Sequence, residues 1–206
     1  MYNLTTKEEK ILKKLNTPGK IQDFLNKLKI NFELGGETCY SVSKVMRERK
    51  AHCIEASFLA AFCLKLAGKK PLVVDLKTTE DDFEHVIAVF KEDGKWGALS
   101  KTNHAVLRYR EPVYNSIREL VMSYFHEYFD NKGKKNLRSY SLPVNLNRFG
   151  KEWIESDENL WEIHDALDKV NAYMLIDAAL YYEWFSFPII GYSKYEVTGV
   201  PIKRKY

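Results

Sequence analysis

The sequence predicts an α+β fold, and three observations carry that expectation. Residues 51 to 67 are almost continuously apolar, rich in Ala, Leu, Phe and Cys rather than β-branched types, which makes them a buried helix. Gly68 supplies its C-terminal stop. Beyond it, Pro71 to Leu76 and His85 to Phe90 read as strands, and the hairpin signal Glu92-Asp93-Gly94-Lys95 leads into a returning strand from Trp96 to Ser100. A buried helix followed by three consecutive strands predicts a helix packed on an antiparallel sheet.

The flanking elements follow from caps and periodicity. Thr5 and Thr6 precede Lys7 to Leu15, where Ile11, Leu12 and Leu15 recur at helical spacing. Thr17-Pro18 starts a second helix running to about Leu28, with Ile21, Phe24, Leu25 and Leu28 inward. Gly35-Gly36 closes this section. Arg118 to Phe129 is expected to be helical, and Lys132 to Lys135 an exposed loop. A helix near Ser156 to Val170, capped by Ser156, is expected next, then a helix over Tyr173 to Trp184 and a strand within Tyr192 to Ile202.

At 206 residues a single domain is expected over 1–206. It divides into N-terminal helices (1–35), a core (36–110) and a helical, aromatic C-terminal elaboration (111–206). Hydrophobic residues make up 45% of the chain, enough apolar surface for a core, so disorder is a poor reading. The net charge of +4 is a weak bias, and the densest basic runs, Lys44 to Lys50 and Ile202 to Tyr206, are short. They read as solvated surface, and nucleic acid is not an expected partner. No run approaches the length of a membrane-spanning helix and no secretory leader is apparent, so a cytoplasmic location without membrane attachment is expected. Three cysteines without CxxC spacing make neither a disulfide framework nor a zinc site. Any special cysteine must be special through reactivity.

Cys53 is the candidate, in Ala51-His52-Cys53-Ile54-Glu55-Ala56 at the start of the buried helix. Unpaired amides and the dipole at a helix N-terminus favour a thiolate there and offer donors to a developing oxyanion. A thiolate nucleophile needs a base that later returns a proton, and His85 at the head of its strand is the candidate. A third residue from the neighbouring strand would orient the ring.

The order of these residues resembles the transglutaminase-like superfamily, whose fold is papain-like. That family places its cysteine at the start of a buried helix before a Gly-rich stop and a strand, and Cys53 through Gly68 and Pro71-Leu72-Val73-Val74 is similar. His85-Val86-Ile87-Ala88-Val89 is similar to the family's His-Ala-Trp-x-x-Val strand, and Trp96 matches its tryptophan. Where the family has an aspartate four residues after that tryptophan, this chain has Ser100. The resemblance covers about sixty residues and implies a Cys-His site on an α+β, papain-like core.

Hairpin register decides which residue stands in for the aspartate. A two-residue turn at Asp93-Gly94 puts Ser100 on the face of His85, whereas a three-residue loop puts Asn103 there. Both stay open from sequence. His104, beside them, and Trp96 and Arg108 are candidate substrate-binding residues, with Arg108 or Arg110 meeting an anionic group. Cys39 and Cys63 read as core residues. His52, His126 and His164 take the ordinary reading of surface or satisfied polar groups. Asp81, Asp82 and Glu84 beside His85 lack a clear ligand spacing, and neither a metal nor another cofactor is expected.

The resulting expectation is thiol-dependent acyl hydrolysis or acyl transfer on a peptide, amide or ester substrate. The alternative is a binding protein that keeps the scaffold and lacks the orienting aspartate.

Overall fold

The computed structural model describes residues 2–79, 82–104, 106–129, 133 and 135–176. Two short helices open the chain, α1 (Thr6–Lys14) and α2 (Pro18–Lys27). Thr5 Oγ1 accepts from Glu8 N while the Glu8 carboxylate accepts from Thr5 N, a reciprocal cap. Thr17 accepts from Lys20 N, with Pro18 at the first helical position. The two-residue strands β1 (Lys29–Ile30) and β2 (Lys50–Ala51) then pair in parallel around α3 (Val42–Glu48). This third helix lies in what the sequence offers as a basic run. It buries Val42, Val45 and Met46, leaves Lys44 half-buried and turns Arg47 outward, so its amphipathic face is short.

Helix α4 (Cys53–Leu66) is the centre of the molecule, buried without interruption from Ile54 to Leu64. Its end is a paired αL turn. Lys69 N donates to Leu64 O, Gly68 N donates to Lys65 O, and Gly68 carries the required positive φ of 82°. No residue with a Cβ adopts that conformation as readily.

The main sheet is antiparallel, built from β3 (Leu72–Thr78), β4 (His85–Glu92), β5 (Lys95–Leu99), β6 (Arg110–Tyr114), β7 (Leu137–Ser141) and β9 (Ala172–Met174), with β8 (Val144–Asn145) beside β3. Its spatial order is β6-β5-β4-β3-β7-β9. Period-two alternation gives it two apolar faces. Val73, Val86, Ala88 and Phe90 pack in the cluster that contains α4. Val74, Leu76, Ile87 and Val89 pack with Leu120, Val121 and Tyr124 of α5 (Ile117–Phe125). Burial on both faces explains why β3 and β4 read as continuous apolar runs rather than alternating ones.

The β4–β5 hairpin closes through two residues. Lys91 pairs with Trp96 and Glu92 with Lys95, while Asp93 and Gly94 have φ of 48° and 78°. Positive φ at both turn positions suits the right-handed twist of the flanking strands. The two-residue register therefore holds, and the three-residue alternative does not.

The C-terminal part departs from the expected helical elaboration. Besides α5, α6 (Glu152–Glu155) and α7 (Trp161–Asp168), it contributes β7, β8 and β9 to the sheet. Ser156 does not cap a helix onward to Val170; its hydroxyl accepts from Glu158 N in a turn, and α7 starts at Trp161. Tyr173 lies in β9 rather than a helix, paired with Tyr140. The remainder of that expected helix, to Trp184, and the strand expected within Tyr192 to Ile202 lie outside the described residues.

Candidate active site

The first residue of α4, the head of β4 and the segment after β5 meet in one cleft of about 900 Å³. Cys53, His85, Asn103 and His104 all line it, and Cys53 is half-buried where Cys39 and Cys63 are buried. Burial pushes the Cys39 and Cys63 thiols up to about 12, Glu55 adding to the effect at Cys39. At Cys53 burial acts the same way but is outweighed. Hydrogen bonds with His52 and then His85, and the charges of both rings, hold its thiol well below the ordinary value.

His85 is buried at 5% exposure, and its Nε2 lies 2.8 Å from Ser100 Oγ. Ser100 Oγ in turn donates to Leu107 O at 2.6 Å. A hydroxyl has one proton, and a carbonyl only accepts, so Ser100 must accept from His85 Nε2–H. That fixes the tautomer and leaves Nδ1 as the nitrogen available to the thiol. Ser100, not Asn103, therefore lies against the His85 ring. Asn103 is a cleft residue without that contact.

Ser100 is held from a distance. Gln22 Oε1 accepts from Ser100 N at 3.0 Å, and Gln22 Nε2 donates to Ser100 O at 2.8 Å and to Asn26 Oδ1 at 2.9 Å. The neighbouring Lys101 ammonium is buried and donates to the Leu25 and Leu28 carbonyls at the end of α2, 2.9 and 2.8 Å away. Burial, then the charge of Arg108, lowers it to about 8. Together these contacts tie the wall after β5 to α2.

His52 is the residue whose weight the sequence conceals. Its Nδ1 lies 3.9 Å from Cys53 Sγ, and its Nε2 lies 3.0 Å from Thr38 O and 3.4 Å from Glu55 Oε1. Burial disfavours its charge, but the hydrogen bonds with Cys53 and Glu55 and their charges win, raising it to about 11. Glu55 is fully buried and accepts from Thr38 Oγ1, Tyr40 N, Asn31 Nδ2 and His52 N. Burial opposes its ionisation, and His52 and these donors overcome it, holding the carboxyl at about 2. His52 is thus a satisfied polar group, as the ordinary reading has it, and it lies against the Cys53 sulfur as well. The signal available was Glu55 three residues after His52, the spacing of a helix N-terminal box.

Trp96 and Arg108 are not among the cleft's lining residues. Trp96 packs in the α5 cluster with the Lys91 ammonium 4.6 Å over its ring. Arg108 donates to His104 O, and Arg110 to Glu127 and Ser123. These arginines brace the loop rather than face the cleft. Comparison with known proteins finds neither a matching family model nor a matching curated protein. The site must speak through its own geometry.

Asp75, Glu84 and Asp168, which line the same cleft, offer carboxylate oxygens within 4.8 Å of one another. The Lys77 ammonium sits among them, 2.7 Å from Asp168, 3.5 Å from Asp75 and 3.6 Å from Glu84. A lysine already supplies the cation that would otherwise draw these carboxylates to a metal. Among the described residues no helix is long and apolar enough to cross a membrane.

Proposed function

We propose that this chain is a thiol-dependent acyl hydrolase or acyltransferase, acting on an amide or ester through Cys53 and His85 in a papain-like, transglutaminase-like arrangement. One observation carries the reading: a half-buried thiol with a lowered pKa opens a cleft that also holds a histidine whose far nitrogen is pinned by Ser100.

In the first step the Cys53 thiolate adds to the carbonyl carbon, forming a C–S bond and an oxyanion. The amide of Cys53, in the first turn of α4, has no intrahelical acceptor and faces the developing charge. The C–N or C–O bond then breaks, and the His85 imidazolium gives its proton to the leaving amine or alcohol. Water or an amine next attacks the thioester, loses its proton to His85, and releases Cys53 as thiolate. His85 Nδ1 takes the Cys53 proton and later gives it to the leaving group; His52 stabilises the thiolate so formed, while Ser100 holds the His85 ring by accepting from Nε2–H.

The test is selective alkylation of native protein by iodoacetamide, mapped by mass. Cys53 reacts well before Cys39 and Cys63, with a pH–rate profile whose thiol limb lies below that of free cysteine. Equal labelling of the three, or an ordinary thiol limb at Cys53, supports the alternative, a scaffold that binds without acyl transfer.

A further inference from the structure

Ser100 brings no charge to His85, yet a buried carboxylate does stand in this site, beside the other imidazole. Glu55 is fully buried and is not among the residues lining the cleft, so it touches no substrate. His52 does line the cleft, with one ring nitrogen towards Cys53 Sγ and the other towards Glu55. Whatever Glu55 does to the sulfur, it does through that ring.

The surroundings of the ring decide its protonation. Nε2 faces Thr38 O at 3.0 Å, and a carbonyl only accepts, so Nε2 carries a proton. Nδ1 faces the sulfur at 3.9 Å, where a thiolate also accepts. A ring with acceptors at both nitrogens and a buried carboxylate 3.4 Å from Nε2 holds two protons and a positive charge. The carboxylate is itself fixed as an anion by four donors, Thr38 Oγ1, Tyr40 N, Asn31 Nδ2 and His52 N. Glu33 Oε1 adds a second negative charge 3.5 Å from Nε2, but its side chain is 32% exposed, so water screens it. The charged and titratable groups facing His52 are therefore Glu55, Glu33 and Cys53.

We propose that Glu55 is a positioning residue of the Cys53–His85 site: acting through His52, it maintains a fixed imidazolium against the sulfur and supplies the negative charge that Ser100 does not. This role rests on Cys53 working as the nucleophile. His52 already holds both its protons and has no place for the thiol proton, which goes to His85. One imidazole carries charge and the other carries the proton. Burial of Glu55 away from water strengthens its hold on the ring.

The experiment reads two quantities in the full chain: the pH profile of Cys53 alkylation by iodoacetamide, and the ring nitrogens of His52 by ¹⁵N chemical shift. Glu55→Gln keeps the size of the side chain and removes its charge. It moves the thiol limb of Cys53 to higher pH by about a unit or more, and it leaves His52 with one proton at about pH 8, above the ordinary range of the ring. Glu55→Asp, which retains the charge, recovers most of that shift. Added to His52→Gln, Glu55→Gln moves the limb little further, as expected of a residue that acts through the ring. A group that only caps α4 would lower stability and leave both the limb and the nitrogens of His52 in place. Should Glu55→Gln not fold, Cys53→Ser/Glu33→Gln is read instead. Glu55 is then the carboxylate left beside the ring among the described residues, and His52 stays doubly protonated at about pH 8. A singly protonated His52 in that variant, or an unmoved limb in Glu55→Gln, overturns the proposal. Labelling of Cys53 ahead of Cys39 and Cys63 in the wild type reports separately on the nucleophile. Fast labelling that Glu55→Gln leaves unmoved sinks only the role of Glu55, and a charged His52 in the serine variant with slow wild-type labelling sinks only the acyl chemistry.

Discussion

His85 Nε2 and Ser100 Oγ stand 2.8 Å apart, and the Ser100 hydroxyl is already committed to Leu107 O at 2.6 Å. A serine in this position orients the ring without adding charge. It stabilises an imidazolium less than a carboxylate does, so the burden of keeping Cys53 ionised falls on the second imidazole, His52.

Ser100→Ala removes the acceptor that selects the tautomer. The expected result is a fall of roughly tenfold in the rate of Cys53 alkylation near neutral pH, in keeping with one neutral hydrogen bond. The His85 ring nitrogens, read by ¹⁵N chemical shift, should move towards a mixture of tautomers. An unchanged nitrogen spectrum counts against Ser100 as the orienting group.

Gln22→Ala acts on the same histidine through the backbone of Ser100. It strips partners from a buried N–H and a buried carbonyl, at an expected cost of about 1–3 kcal/mol in chemical denaturation. Cys53 reactivity should fall with it, although Gln22 does not line the cleft. Full reactivity in a destabilised variant would confine Gln22 to a structural role.

His52→Gln tests which imidazole holds the thiolate. With the largest single lowering cause gone, the alkylation profile of Cys53 should shift to higher pH by about a unit or more, His85 retaining the remainder. His85→Gln should move the profile less while removing turnover of any acyl substrate. A larger shift for His85→Gln reverses the assignment.

Asp75 gives a stability signature. Burial, then the charge of Glu84, push its carboxyl up from 3.8 to about 8, with Lys77 pulling the other way. The folded chain therefore holds this proton more tightly than the unfolded chain does, so stability is full below about pH 4 and is lost as pH rises towards 8. Asp75→Asn should match wild type in thermal melting at the acid end and exceed it increasingly up to about pH 8. Parallel melting curves across that range would remove the raised carboxyl.

Local chemistry made much of this molecule readable. The cap at Thr17-Pro18, the stop at Gly68 and the turn at Asp93-Gly94 each depend on a few adjacent residues, and each stands where its chemistry puts it. The placement of Ser100 against His85 was one of two alternatives the sequence left open, Asn103 being the other, and the two-residue turn decides between them. What escaped depends on partners distant in sequence. Gln22 reaches Ser100 from α2, and His52 acquires its importance from Thr38 and Glu55. Neither relationship leaves a periodic trace. Strands β7 and β9 mix Arg, Ser, Tyr and Met over a few positions each, too short to separate from helix or loop by pattern. Trp96 matched a motif yet packs on the α5 side of the sheet, because its neighbours in space were not among the residues compared.

The hairpin tip touches nothing in the cleft, but it keeps count for it. One residue more at Asp93-Gly94 exchanges inward and outward positions along β5 and carries Ser100 off the histidine's side. Variation in loop length, usually harmless at an exposed tip, is here as consequential as a change beneath the sulfur itself.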